Sequence, residues 1–203
     1  MTLAHPEWIT LSIGGKPHYG YDQEWYPERW QKLAGCGPTT ASVMMAYWEA
    51  KWEGRVITTQ EQAEEKMLTL WPYATPRMHG LYKTRWLREG LAQYLLDHDL
   101  PGRAEMMSIA PIRPFRPGLA ALADFIGEGL SGDCPVGFLN LHNGGIESLY
   151  NWHWMPFVKL VQTGEGWQGT VMDEGKEIDF PLHVWLKKSK FGGGFVRVVK
   201  GEG

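Results

Sequence analysis

The order of hydrophobic patterns along the chain constrains its fold more than any other feature. Segments with helical periodicity and helix-start signals dominate roughly the first 130 residues, and strand-like runs rich in β-branched and aromatic residues dominate the rest. A chain with helices first and strands later does not build an alternating β/α sheet. We therefore predict an α+β fold in a single domain over residues 1–203, with N-terminal helices packed on a C-terminal antiparallel sheet.

The predicted elements follow from local signals such as the capping-box spacing of Thr59 and Gln62. Helices are predicted at about 38–52, from 60 onward, and at 84–97, 118–130 and 181–188. Strands are predicted at about 104–109, 135–141, 153–161, 167–173 and 195–199. The tight turn at 163–166 should join two of these strands into a hairpin, and residues 14–30 should form an ordered loop.

Composition excludes several classes of function. A net charge of −3 gives no electrostatic reason to expect nucleic acid or an anionic membrane as a partner. No stretch approaches the ~18 apolar residues of a transmembrane helix, and the N-terminus lacks the pattern of a secretory signal. A cytoplasmic protein is therefore expected. Its two cysteines are too few for a disulfide scaffold, and the sequence leaves the oligomeric state open.

Cys36 lies in a Gly-Cys-Gly-Pro run at the entry to the first predicted helix. The partial positive charge of a helix N-terminus lowers the pKa of a thiol, so a cysteine placed here is a candidate nucleophile. Gly35 and Gly37 allow tight backbone conformations and the close approach of a substrate. The alternative is a small apolar residue packed at a helix start.

A cysteine nucleophile needs a base, and the base needs a group that orients it. His153 opens one predicted strand, and Asp173 ends the strand that follows. If the two strands form a hairpin, the two side chains can meet. The alternatives are a histidine satisfied in an aromatic core and an aspartate that serves only the turn before Gly175.

These motifs resemble those of the C39-like, papain-like cysteine peptidases. The similarity lies in Gly35-Cys36-Gly37-Pro38-Thr39-Thr40-Ala41, in the strand that begins His153-Trp154, and in Val171-Met172-Asp173-Glu174-Gly175-Lys176. The resemblance spans roughly residues 20–200, although only the three short motifs are specific. It implies a papain-like fold with Cys36 as nucleophile, His153 as base and Asp173 as the orienting group.

The chain departs from the family pattern at the oxyanion donor. The family usually carries a glutamine six residues before the cysteine, where this chain has Trp30. Gln31 is the favoured substitute, and Gln23 is a second candidate. The long gap between Cys36 and His153 predicts an insertion near residues 70–115 that covers the cleft.

Two further residues are candidate substrate contacts. Trp154 follows the histidine directly, and Asn140 ends the preceding strand, where a solvated side chain is the alternative. Pro156 cannot donate a ladder hydrogen bond, so its strand needs an edge position or a bulge.

The sequence thus predicts a thiol-dependent hydrolase that cleaves a peptide or other amide bond through an acyl-enzyme on Cys36. Transfer of the acyl group to an amine would use the same residues and stays open. No cofactor is expected, and a zinc site is disfavoured because no two Cys or His residues have ligand spacing. The alternative function is a catalytically inactive papain-like module that binds a peptide or small ligand.

Overall fold

The computed structural model describes residues 1–201 and shows an α+β protein built on a six-stranded antiparallel sheet. The helices are α1 (Arg29–Ala34), α2 (Cys36–Glu53), α3 (Gln60–Leu70), α4 (Thr84–Asp97), α5 (Leu119–Ser131) and α6 (Leu182–Lys188). The strands are β1 (Thr10–Ile13), β2 (Lys16–Tyr19), β3 (Arg103–Ile109), β4 (Val136–Asn140), β5 (His153–Thr163), β6 (Gly166–Asp173), β7 (Lys176–Pro181) and β8 (Gly193–Val199). The large sheet has the order β3-β8-β4-β5-β6-β7, while β1 and β2 form a separate hairpin.

Helices cover both faces of the sheet, so its central strand β4 is buried along its whole length. On one face, Phe138 and Phe195 pack against Trp185 of α6 and the apolar side of α5. On the other face, Leu139 and Val196 pack with α2 and α4. Packing on both faces holds the central strands in place. The candidate site lies at the ends of two of them, β5 and β6.

Helix α2 is buried on all sides rather than amphipathic. Every residue from Gly37 to Ala50 is buried, in agreement with the small and apolar character of this stretch. The helix was predicted to start at residue 38 with Cys36 outside it, but Cys36 is its first residue. The reason is α1, for which no helix was predicted and which leads into α2 through Gly35 in a near-helical conformation.

Most predicted elements are confirmed to within a few residues, including α4 and the capping box at Thr59. The hairpin between β5 and β6 is also present, with Thr163 opposite Gly166. Pro156 lies in a central strand rather than at an edge, and the ladder shifts register between Phe157 and Lys159, directly after it. The β1–β2 hairpin and β7 were missed because short strands among Gly, Pro and aromatic residues have little periodicity.

Within residues 1–201, no helix combines the length and the apolar character needed to cross a membrane. The segment predicted as an insertion, 70–115, contains the end of α3, α4 and β3.

A buried polar cluster ties α2 to its neighbouring helices. The Lys66 ammonium of α3 donates to the Glu49 carboxylate of α2, and the Tyr94 hydroxyl of α4 donates to the same oxygen. Lys66 and Glu49 are both buried. Burial lowers the pKa of Lys66, although the attraction of Glu49 opposes that effect. Because a buried charge needs its partner, this cluster fixes the position of the helix that begins at Cys36.

We expect Lys66→Met to destabilise the fold by about 3 kcal/mol, because it leaves the buried Glu49 carboxylate with only the more distant Arg55, at 4.0 Å, as a cation. The double variant Glu49→Gln/Lys66→Met should lose less than the sum of the two single changes. Urea unfolding of the four proteins measures both quantities. Arg85→Ala is the control, since it removes only an exposed pair with Glu89 and should cost less than about 0.5 kcal/mol. Wild-type stability in Lys66→Met would contradict the assigned role.

Candidate active site

Three chain segments converge at one end of the sheet and bring Cys36, His153 and Asp173 together. Cys36 is the first residue of α2, His153 the first of β5 and Asp173 the last of β6. His153 Nε2 lies 2.7 Å from Asp173 Oδ1. Because Nε2 is occupied by the carboxylate, Nδ1 is the ring nitrogen left to face the Cys36 thiol.

The electrostatics of the pair favour a charged state. Burial by itself would raise the pKa of Cys36, but hydrogen bonding and charge attraction to His153 outweigh burial and lower it. The backbone N–H groups of Trp154 and Gly37 add to this effect. For His153, burial opposes the imidazolium, yet the bonds to Asp173 and to Cys36 prevail and raise its pKa. Both shifts favour a thiolate next to an imidazolium over the neutral pair.

Unusual backbone conformations flank both His153 and Asp173. Trp152, just before His153, has φ of +57°, a value that is rare for a bulky side chain. Glu174 and Gly175, just after Asp173, have φ of +46° and +76° and form the two-residue turn between β6 and β7. Left-handed residues other than glycine concentrate at functional sites, where the surrounding fold holds them in place.

The second cysteine has a contrasting environment. Cys134 is fully buried in the core beside α2 and α4, and both cysteines are free. Burial raises the pKa of Cys134 to about 12. Cys36, by contrast, is partly exposed. Cys134 therefore serves as an unreactive reference thiol within the same chain.

Two cavities of different character adjoin Cys36. The first, here called the apolar cavity, has a volume of about 230 Å³ and is lined by residues that include Trp30, Leu33, Cys36, Met78, Leu141 and Trp152. The second, here called the polar cavity, measures only about 20 Å³ and is lined by residues that include Tyr21, Gln23, Cys36, Thr39, His153 and Asp173. Cys36 and Trp154 border both.

The two candidate glutamines lie in different places. Gln31, the favoured one, forms a capping box at the start of α1, where its Oε1 accepts a hydrogen bond from the Glu28 N–H at 3.3 Å. Gln23 lies in a single 3₁₀ turn whose cap is Asp22, and it lines the polar cavity with Cys36 and His153. Of the two, Gln23 is therefore the one that shares a cavity with Cys36.

Unpaired buried oxygens concentrate in the polar cavity. Within residues 1–201, four buried side-chain oxygens lack a hydrogen-bond partner: Tyr21 Oη, Gln23 Oε1, Thr39 Oγ1 and Asp173 Oδ2. All four residues line the polar cavity. Buried polar atoms are normally satisfied, so a cluster of exceptions in one cavity beside Cys36 is typical of a ligand site.

The predicted substrate contacts have packing roles. A Cβ on Gly35 would come within 2.7 Å of the Tyr26 ring, and one on Gly37 would come within 2.7 Å of the Leu81 side chain. The space over Gly37 thus belongs to Leu81 rather than to a ligand. Trp154 borders both cavities, and its indole N–H donates to the Leu81 carbonyl.

Asn140 is neither solvated nor at a cavity surface. Its side chain is fully buried, donates to the Tyr150 carbonyl at 2.6 Å and accepts from the Trp185 indole at 2.8 Å. It lies opposite His153 in the β4–β5 ladder. Asn140 therefore ties the strand end next to His153 to α6 and to the preceding loop.

Sequence reasoning missed Tyr21, Thr39 and the turn at 78–82 as parts of the site. Thr39 follows Cys36 by three residues, one helical turn, and that spacing was a usable signal. Tyr21 and the turn at 78–82 reach the site only through long-range packing, for which a single sequence carries no signal.

No protein-family model matches this sequence, and no curated protein matches it. The site has to be interpreted from its own geometry.

We expect iodoacetamide to alkylate Cys36 well below the ordinary thiol pKa of ~8.5. The lowered pKa keeps the thiolate as the pH falls, and the raised pKa of His153 keeps the imidazolium as the pH rises. In His153→Ala the reaction at low pH should disappear. Mass spectrometry of tryptic peptides over about pH 5 to 9 measures both, with Cys134 as the internal control that stays unmodified in the folded protein. Equal pH profiles in wild type and variant would contradict the thiolate–imidazolium pair.

Proposed function

We propose that the protein is a thiol-dependent hydrolase of peptide or other amide bonds, with a papain-like fold and membership of the C39-like cysteine peptidases. One observation carries the proposal: His153 bonds Asp173 through Nε2, and His153 and Cys36 line the same small cavity. Nucleophile, base and orienting group in this order are the arrangement that acyl transfer through a thioester requires.

The reaction begins with attack of the Cys36 thiolate on the carbonyl carbon of the scissile amide. The tetrahedral intermediate collapses as the C–N bond breaks, and the His153 imidazolium gives its proton to the leaving nitrogen. The neutral imidazole then takes a proton from water, whose oxygen attacks the thioester. The acid is released, the thiolate is regenerated and the imidazolium forms again, so that one water is consumed for each amide cleaved.

Asp173 would hold the imidazole in the tautomer that places Nδ1 toward sulfur, and it would stabilise the imidazolium. The developing oxyanion needs donors aimed at it. Gln23 borders the same cavity as Cys36, and the N–H of Cys36 is among the first four amides of α2, which have no partner within the helix. These two groups are the proposed oxyanion donors, with Gln23 in place of the Gln31 expected from the sequence.

The proposed partner is a peptide or amide substrate, with no cofactor and no nucleic-acid or membrane partner. A reducing compartment keeps Cys36 free as a thiol, which supports the cytoplasm as the proposed location. The chain leaves both water and an amine open as the final acceptor.

The alternative is an inactive binding module, and its main support from the sequence was the displaced glutamine. The position of Gln23 weakens that support, because an amide side chain does border the nucleophile. A module without turnover would bind peptides equally well in wild type and in Cys36→Ala, and would release no cleaved products.

The test is cleavage of pooled synthetic peptides at about pH 7 followed by mass spectrometry. We expect the wild-type protein to release products, Cys36→Ala to release none, and Asp173→Asn to be slower by about 10²–10⁴ in kcat because the imidazole loses its orienting acceptor. Absence of products from the wild type, or products that persist in Cys36→Ala, would contradict the proposal.

Two glutamine variants sharpen the same assay. Gln23→Ala should lower kcat by about 10²–10³, the usual effect of losing one oxyanion donor. Gln31→Ala serves as the matched control and should leave kcat within about threefold, because Gln31 only caps α1. A larger loss of kcat in Gln31→Ala than in Gln23→Ala would instead assign the oxyanion role to Gln31.

A further inference from the structure

We propose that the apolar cavity binds a bulky apolar side chain on the acyl side of the scissile bond. The assignment to the acyl side of the scissile bond rests on the proposed hydrolase function. The preference for an apolar group rests on the cavity itself. Together they name a substrate class: amides whose acyl part carries an aromatic or large aliphatic group.

The lining of the cavity favours an apolar occupant. Among the residues that the structure describes, no Asp, Glu, Lys or Arg side chain lines it, and His79 is its one basic side chain. Its rim consists of large apolar side chains left open to solvent, with exposed fractions of 49% for Trp30, 71% for Leu33, 83% for Met78 and 55% for Trp152. Apolar side chains exposed together around a concave surface mark a binding site.

The size of the cavity suits a ring. Its volume is about 230 Å³. For comparison, an apolar protein cavity of about 150 Å³ holds one benzene molecule. A phenyl or indole group therefore fits, and the Cys36 side chain in the cavity wall lies within reach of the atoms attached to that group.

The position of His153 decides which part of the substrate enters. The leaving nitrogen must reach the His153 imidazolium to take its proton. His153 lines the polar cavity and does not line the apolar one. The leaving nitrogen therefore lies on the His153 side of the Cys36 sulfur, and the side chain of the acyl part, which stays bonded to sulfur, occupies the apolar cavity.

The wall contributed by residues 78–82 is anchored at both ends. The Gly80 N–H donates to the Arg77 carbonyl at 2.8 Å, and the Arg77 guanidinium stacks over the Trp86 ring at 3.9 Å. Leu81 is fixed by the Trp154 indole N–H and fills the space over Gly37. A wall anchored at both ends keeps its shape when ligand enters, so the cavity can select by size and polarity.

Alkylation of Cys36 tests the cavity without any need for turnover. The probes are iodoacetamide, N-benzyl iodoacetamide and N-carboxymethyl iodoacetamide, and each rate is divided by that of the same probe with glutathione. We expect the normalised rate of the benzyl probe to exceed that of iodoacetamide by about tenfold, and the carboxymethyl probe to show no gain. Equal normalised rates for the benzyl and carboxymethyl probes would overturn the proposal.

A matched pair of variants shows where the benzyl group binds. Leu33 and Leu96 are each the second-last residue of a helix, with exposed fractions of 71% and 70%. Leu33→Asp places a charge on the cavity rim and should remove most of the benzyl preference, whereas Leu96→Asp should leave the preference within about twofold of wild type. A benzyl preference unchanged in Leu33→Asp and also in Met78→Ser would overturn the proposal.

The outcomes also separate this inference from the proposed function. Slow reaction of Cys36 with plain iodoacetamide counts against the hydrolase, but the ratio between the probes still reports on the cavity. If the peptides are cleaved, the residue before the cut bond should be aromatic or large aliphatic. A preference confined to the residue after the cut would overturn the assignment of the acyl side.

Discussion

The hydrogen bond between His153 and Asp173 is the interaction on which the rest of the site depends. It occupies Nε2 at 2.7 Å, so the other ring nitrogen is directed to Cys36. The two residues are twenty positions apart, and they meet because β5 and β6 are neighbours in one antiparallel ladder. Without that ladder, Cys36 would lose the imidazole that lowers its pKa, and desolvation alone would raise that pKa, as it does for Cys134.

The surrounding fold supplies rigidity at each of these three residues. Helix α2 is buried along most of its length, and the Glu49–Lys66–Tyr94 cluster holds it near its C-terminal end. The strands are fixed by apolar layers on both faces of the sheet. Residues in the left-handed conformation lie next to His153 and Asp173 and turn the chain sharply at both strand ends. Preorganisation of this kind is what the proposed acyl transfer would need, because the groups must be in place before charge develops.

Local signals in the sequence were enough for much of this structure. Periodicity and capping gave α3, α4 and α5, and the turn at 163–166 gave the hairpin that joins His153 to Asp173. The α+β class followed from the order of those elements. The elements that the sequence did not predict are short. Helix α1 has only six residues, and β1 and β2 have four each.

The candidate site shows the same division. Cys36, His153 and Asp173 lie at element ends, where a sequence pattern can place them. The environment of Gln23 depends on how a 3₁₀ turn packs against α2, and the burial of Asn140 depends on Trp185 from α6. The cavity wall at 78–82 depends on the fit of Leu81 against Gly37. No local pattern encodes such contacts between distant segments, so spacing alone favoured Gln31 and a solvated Asn140.

The central claim is that His153 is an imidazolium held between a thiolate and a carboxylate. Nitrogen NMR of protein labelled with ¹⁵N-histidine tests it most directly, with His153→Gln identifying the signals among the seven histidines. At about pH 7, both ring nitrogens of His153 should be protonated in the wild type, and Cys36→Ala should lower the pKa at which that ring loses its proton. A neutral single tautomer in the wild type, with the same titration in Cys36→Ala, would contradict the account.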